Sequence, residues 1–237
     1  VIRDRKKIRS LSENLMTETG KRVSNIEIAD LALLSEVNSL SDRLLDQGRP
    51  IDVLINNAGA LYDKFNRTSE GLEQSVALLL LSPWLLTENL KPLLTIGKSP
   101  GRVINAVSGG MYTQPLDVES LVMLPGAYKG AIAYARAKRA LATLTEIWAE
   151  NWSHENIVVN SMHPGWADTP GVQNALPRFR KITKHLLRSP EQGSDTIVWL
   201  SRAREAAHFS GRFFLDREAR ATHLLERTRE TAADRER

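Results

Sequence analysis

Ile51-Asp52-Val53-Leu54-Ile55-Asn56-Asn57-Ala58-Gly59 decides how the chain folds. Its first five residues form a nearly continuous apolar run, short for a helix, that closes on a polar turn ending in glycine. Such a run reads as a strand buried on both faces, the kind from which parallel sheets are built. The same pattern repeats outward in both directions. Upstream, residues 32–47 have helical periodicity and stop at Gly48, with Asp30 placed as a cap. Before them, residues 23–28 alternate as a strand. Residues 3–19 read as a helix stopped by Gly20, entered from a strand end at Val1-Ile2.

Downstream, residues 69–94 read as one long helix, with Pro83 expected to kink it. Residues 101–107 form the next strand and close on Ser108-Gly109-Gly110. A loop with Pro115, Pro125 and Gly126 leads to a helix running to about Trp148. Residues 157–161 are another strand, opening into His163-Pro164-Gly165-Trp166-Ala167-Asp168-Thr169-Pro170. A helix is expected from Pro190 and a last strand over 211–215. Strands alternating with helices imply one parallel sheet covered on both faces, and ligands then bind at the carboxyl ends of the strands. Asn56 to Gly59, Ser108 to Gly110 and Pro164 to Thr169 all fall there. Residues 1–215 read as a single domain, and residues 216–237 as a charged, loosely ordered tail.

Composition narrows the chemistry. The chain has 237 residues, 42% hydrophobic and 25% charged, an ordinary globular balance. It has no cysteine, which excludes disulfides, thiolate metal sites and cysteine nucleophiles. The longest apolar run, residues 76–81, is too short to span a bilayer. A formal charge of +4 permits an acidic partner without requiring one. Arg178, Arg180, Lys181, Lys184 and Arg188 form the one concentrated basic stretch. It lacks the aromatic interleaving of a nucleic-acid site, so a solvated surface is expected and no nucleic-acid partner. His154, His185, His208 and His223 have no metal-ligand spacing, and no metal is expected. His163, beside Pro164, is read first as a hydrogen-bonded structural histidine, with a site role as the alternative. No Gly-x-Ser-x-Gly elbow surrounds Ser108, so it is not read as a hydrolase nucleophile.

Ala133-Tyr134-Ala135-Arg136-Ala137-Lys138 carries the chemistry. Residues four apart on a helix share a face, one turn apart. A cation beside a phenol favours the phenolate, so Tyr134 is expected to titrate below its usual value of about 10 and to pass protons near neutral pH. Tyr-x-x-x-Lys also arises by chance in many helices, and its weight depends on its company.

In that company the residues resemble the short-chain dehydrogenase/reductase family. Asn56-Asn57-Ala58-Gly59, Ser108, Tyr134 with Lys138, and Pro164-Gly165 followed by Thr169 match its motifs in order and on the expected elements. Ser161 to Val172, Ser210 to Phe214 and Thr222-His223-Leu224 look like the signature of one subgroup. The resemblance implies a Rossmann-type, doubly wound α/β domain and NAD(P)-dependent interconversion of a small-molecule carbonyl and an alcohol. It implies that Tyr134 is the general acid/base, that Lys138 tunes it and holds the nicotinamide ribose, and that Ser108 binds the substrate oxygen. Asn57, Ala58 and Gly59 would line the adenosine side, Asp30 would meet the adenine, and Pro164, Gly165 and Thr169 would meet the nicotinamide and phosphates. Arg3, at the end of the second strand, favours NADP, with NAD the alternative. Residues 171–188 would cover the pocket. Family members often pair through their long helices, so a homodimer is one assembly the resemblance allows.

Two features depart from the family pattern. The glycine-rich phosphate turn that opens the first helix is absent, and about one βα unit of roughly 30 residues is expected to precede Val1. A chain so shortened is expected to bind a dinucleotide poorly. Leu79 stands where many members carry an asparagine that holds a relay water, which leaves a catalytically impaired binding or scaffold protein as the rival reading. A cytoplasmic location is expected, with any upstream targeting segment left open.

Overall fold

The apolar run around Val53 becomes the first strand of a five-stranded sheet. In the computed structural model, which describes residues 1–21, 25–167 and 187–236, the strands are β1 (Val53–Asn56), β2 (Gly101–Ala106), β3 (Ile157–Met162), β4 (Phe213–Leu215) and β5 (Glu218–Arg220). They lie across the sheet in that order, with β1 to β4 parallel and β5 antiparallel to β4. Asn56 stands opposite Asn105, and Asn105 opposite Ser161, so the carboxyl ends of β1, β2 and β3 share one rim.

Parallel neighbours need crossovers, and helices supply them. The described helices are α1 (Ile8–Thr19), α2 (Leu34–Gln47), α3 (Gln74–Val76), α4 (Ser82–Thr95), α5 (Gly130–Asn151), α6 (Pro190–Arg202) and α7 (Ala232–Glu236). Alternation along the strands sorts them into layers. Val103, Val159 and Phe213 pack with Leu94, Leu141 and Trp148 of α4 and α5. Their chain neighbours Ile104 and Phe214, with Met162, pack on Leu200 of α6 from the opposite face. Each fully buried leucine or isoleucine here contributes about 1.5–3 kcal/mol. A polar seam runs through the first layer. Asn56 Nδ2 donates to Thr87 Oγ1 (3.0 Å) and Asn105 Oδ1 (2.8 Å), and Asn105 Nδ2 donates to Thr145 Oγ1 (2.9 Å). It ties β1, β2, α4 and α5 at the level of the rim.

Several expectations are corrected by local physics. The long helix does not start near residue 69. Gly71 adopts φ +82° and the Thr68 amide donates to the Leu72 carbonyl, so the chain turns first. Glu73 then caps α3, accepting from the amides of Ser75 (2.8 Å) and Val76 (3.0 Å). Between α3 and α4 lies a π-helical segment, Ala77–Leu81, in which the Ser82 amide reaches back to the Ala77 carbonyl. Pro83 has no N–H and its ring crowds the carbonyl four residues earlier. A widened turn just before it relieves that conflict. The α2 helix begins at Leu34 rather than at residue 32, and Asp30 is not its cap. Instead Glu70 accepts from the amides of Leu34 (2.7 Å) and Ser35 (2.9 Å), while Asp30 Oδ1 accepts from the Ala32 amide (3.0 Å). The Gly20 and Gly48 stops do form, both left-handed.

Within the expected strand over residues 23–28, the described part contributes one parallel bridge, Ile28 with Ile2; residues 22–24 lie outside the described residues. After β4 the chain reverses through Asp216 and Arg217, both left-handed (φ 56° and 60°), into β5. Two left-handed central residues make the turn that matches strand twist. Their side chains are held by Arg188 and Asp195 respectively. Beyond it, the Tyr112 hydroxyl donates to the Ala221 carbonyl (2.8 Å) and Arg235 pairs with Glu146 (2.8 Å) and Glu150 (2.7 Å). Within residues 216–236, read from the sequence as a loosely ordered tail, β5 thus pairs with β4, and Thr222 and Arg235 contact α5. No described helix is long and apolar enough to cross a membrane.

Candidate active site

The turns that follow β1, β2 and β3 meet α5 around a cavity of about 300 Å³. Asn57, Gly59, Ser108, Tyr134, Lys138, Pro164 and Gly165 line it. Seven of the residues singled out in the sequence are thereby brought together. Ala58 lies beside them, exposed and off the wall. Arg3 and Asp30 also lie off the wall, and Thr169 falls outside the described residues, as do Arg178, Arg180, Lys181 and Lys184.

The approach of α5 to the sheet depends on small residues. Ala133, Ala135 and Ala137 are buried along it. At its start, a Cβ on Gly130 would lie 2.0 Å from the Tyr62 carbonyl oxygen, so only glycine fits. Tyr134 and Lys138 share the face that results. Lys138 is 3% exposed, and its Nζ donates to the Ala106 carbonyl at 2.7 Å. Burial pushes its pKa down to about 8. The expected lowering of Tyr134 is not what this arrangement produces. Burial raises the phenol above its usual value, and a hydrogen bond with Ser108 only partly opposes that. The Lys138 ammonium has turned to a β2 carbonyl and lies 5.9 Å from the Tyr134 ring centre.

Ser108 ends the β2 turn in extended backbone, and its Oγ accepts from the Gly110 amide at 3.3 Å. A short 3-10 turn, Gly109–Thr113, follows. Arg139, fully buried, clamps that turn. It donates to the carbonyls of Met111 (3.1 Å), Gln114 (3.2 Å) and Thr222 (2.6 Å). Met111 is consequently core and Tyr112 is tied to Ala221, so neither lines the cavity.

Leu79 is also buried, inside the π segment. A Cβ on Gly59 would sit 3.2 Å from a Leu79 methyl and 4.0 Å from Lys138 Nζ. The wall behind the lysine is therefore hydrocarbon.

Three further residues gather at the site, of which Tyr62 alone went unnamed from the sequence. His163 follows β3 on the cavity wall, 9% exposed, and its Nδ1 is buried with no hydrogen-bond partner among the described residues. It is not the satisfied histidine expected from the sequence. Burial first, and then the Arg188 cation, push its pKa down to about 4. Burial raises the Tyr62 phenol above its usual value, with the Arg3 cation opposing and the Asp30 carboxylate adding to the shift. Arg188 grips Asp216 with both guanidinium ends (2.5 and 2.8 Å) and packs under Gly165, where a Cβ would meet it at 2.7 Å. Gly165 also has φ +74°. A histidine set between an apolar strand and Pro-Gly was the one legible hint among these. Among the described residues, no group of three or more histidine, aspartate or glutamate side chains could hold a metal ion.

A sequence profile of the short chain dehydrogenase family matches residues 1–178. The chain belongs to this family. Dehydrogenase/reductase SDR family member 12 of Homo sapiens is 39% identical over 225 residues, covering 94% of this chain and 70% of that protein. Its Bos taurus counterpart is 38% identical, covering 100% and 74%. The subgroup signature read from the sequence is thus that of a protein close to these relatives. A short-chain dehydrogenase of Escherichia coli, solved with NADPH, shares the fold with a TM-score of 0.69 at 22% identity, over 90% of this chain and 84% of that one. Membership makes the chain an oxidoreductase. The residues present fit the nicotinamide-ribose half of such a dinucleotide. Lys138 has one hydrogen bond against three N–H donors, and the backbone of Asn57 to Gly59 is exposed beside it. The described residues hold no glycine-rich turn for the phosphates.

Proposed function

We propose that the protein reduces a small-molecule carbonyl to an alcohol, or runs the reverse reaction, with Ser108, Tyr134 and Lys138 as catalytic residues. When bound, the dinucleotide supplies the hydride. Ser108 donates a hydrogen bond to the carbonyl oxygen, where negative charge develops, a contact worth several kcal/mol when preorganised. Tyr134 gives its proton to that oxygen. A phenol raised by burial is protonated at neutral pH, the state a general acid needs. The Lys138 cation, one helical turn away, favours the phenolate that remains. Asn57, Gly59, Pro164, Gly165 and Thr169 hold the dinucleotide, with Ala58 beside them and Asp30 toward the adenine. Arg3, exposed and within the field of the Tyr62 phenol, favours NADP over NAD by meeting the extra phosphate.

The observation that carries this reading is the meeting of Ser108, Tyr134 and Lys138 on one cavity wall. Steady-state assay of the purified protein against a panel of aldehydes and ketones, with each cofactor in turn, tests it. Turnover that falls in Tyr134→Phe supports the reading, and turnover indifferent to that change sinks it. One observation favours the rival, a catalytically impaired binding protein. Leu79 fills the wall behind Lys138 and offers no polar group to hold a relay water. Tight dinucleotide binding with no turnover across the panel would decide for that rival.

A further inference from the structure

His163 is fixed in place but not satisfied. Its amide donates to the Phe214 carbonyl at 2.9 Å, which locks its backbone between β3 and β4. Its ring lies on the cavity wall that holds Ser108, Tyr134 and Lys138, packed so closely on the turn after Ser108 that a Cβ on Gly109 would meet Nε2 at 3.0 Å. The ring is neutral at physiological pH, because burial and the nearby Arg188 guanidinium outweigh the Asp216 carboxylate. A neutral imidazole has one N–H and one lone pair. Nδ1 is buried without a partner among the described residues. The proton is assigned to Nε2, which leaves the buried Nδ1 as an unused acceptor rather than an unpaired donor. Ala106, Val107, Pro164 and Gly165 on that wall have no side-chain donor, and the next donors along it are the Trp166 indole and the Asn57 amide.

We propose that His163 is a specificity-determining residue whose Nε2–H receives a second oxygen of the substrate, so that the site prefers carbonyl compounds carrying a hydroxyl or carbonyl oxygen next to the reacting carbon. This rests on the carbonyl-reducing reading above. The neighbouring Ser108 and Tyr134 take the reacting oxygen, and His163 takes the vicinal one. A substrate without that oxygen leaves the Nε2–H dry and unpaired, a cost a hydrogen-bonding site uses to reject it.

The test compares kcat/KM for 2,3-hexanedione and for 2-hexanone in the wild type, His163→Leu and His163→Gln. The leucine removes the donor, and the glutamine amide restores one near Nε2. The expected result is a dione-to-ketone ratio that falls at least tenfold in His163→Leu and returns to within threefold of wild type in His163→Gln. A structural role would depress both substrates alike, and an unchanged ratio overturns the proposal. A second measurement keeps the question decidable if either variant fails to fold or if neither ketone turns over. Nitrogen NMR of the wild-type His163 ring should show the neutral Nε2–H form between pH 6 and 8, and an Nδ1–H form overturns the proposal. Tyr134→Phe run alongside separates the two failures: if it alone loses turnover, only the His163 inference is lost.

Discussion

The two ends of the candidate site are built differently. At the inner end, Tyr134, Lys138 and His163 are buried or half-buried, and burial governs the titration of all three. Tyr134 and Lys138 are held on α5, and the His163 backbone is held by its bond to Phe214 at the end of β3. At the outer end, Arg3 and Asn57 to Gly59 are exposed, Asp30 spends its carboxylate on the Ala32 amide, and β1 stands at the edge of the five-stranded sheet. The contrast teaches where chemistry and recognition separate. Proton transfer needs shifted pKa values and therefore a dry, rigid wall. Grip on a large charged ligand can come from exposed backbone and single charges.

The sharpest way to break this contrast is at Ser108. Removing one donor to a developing oxyanion costs about a hundred- to a thousandfold in kcat. Ser108→Ala should lose turnover on that scale while dinucleotide affinity, read by nicotinamide fluorescence, changes little. Equal loss of both would mean that the two ends are not separable.

Lys138 offers the converse test, because function should fall without a loss of stability. Its folded pKa is lowered from 10.5 to about 8. Below pH 8 the charged, buried ammonium opposes folding, and stability rises with pH between 8 and 10.5, where the unfolded chain holds the extra proton. The shift corresponds to up to about 3 kcal/mol, offset by about 1.5–3 kcal/mol for the lost charge-assisted bond to the Ala106 carbonyl. Lys138→Met should therefore hold or gain up to about 1.5 kcal/mol in denaturant unfolding at pH 7 and lose turnover. A destabilised Lys138→Met would show that the ammonium is compensated by groups beyond Ala106.

At the outer end the effects are smaller. A charge-assisted bond to a phosphate is worth about 1.5–3 kcal/mol, so Arg3→Ala should cut the NADP-over-NAD preference in KM about tenfold. A wild type that prefers NAD removes the argument. Smaller again is the Glu70 cap on α2. Its carboxyl is held below the ordinary range by hydrogen bonds to Ser35. The depressed carboxylate contributes stability above its unfolded pKa and loses it as pH falls through the folded one. Glu70→Gln should cost about 0.5–1 kcal/mol at pH 7 and progressively less as pH falls below the ordinary carboxylate range, as thermal unfolding across that range would show.

The inner end was the more legible in the sequence, for physical reasons. Apolar runs such as 51–55 and 157–161 announce buried parallel strands, and everything at their carboxyl ends is thereby placed on one rim. Spacing put Tyr134 and Lys138 on one helical face. It did not give the direction of a long side chain, so the Ala106 carbonyl went unforeseen as the partner of Lys138 and the Tyr134 shift was read with the wrong sign. The 69–73 stretch has helical periodicity, but Gly71 turns left-handed and Glu73 caps later. The π segment around Leu79 leaves no mark on periodicity. Strand β5 is invisible because Glu218–Arg220 is exposed and polar, held by pairing alone.

The central claim is that the inner end performs proton transfer as a unit. The most direct measurement is kcat for carbonyl reduction by Tyr134→Phe beside the wild type, with dinucleotide binding followed on the same samples. General acid catalysis contributes about a hundred- to ten-thousandfold. The account predicts a fall in kcat of that size with dinucleotide affinity within a few-fold of wild type. A Tyr134→Phe protein that turns over within a few-fold of wild type would contradict it.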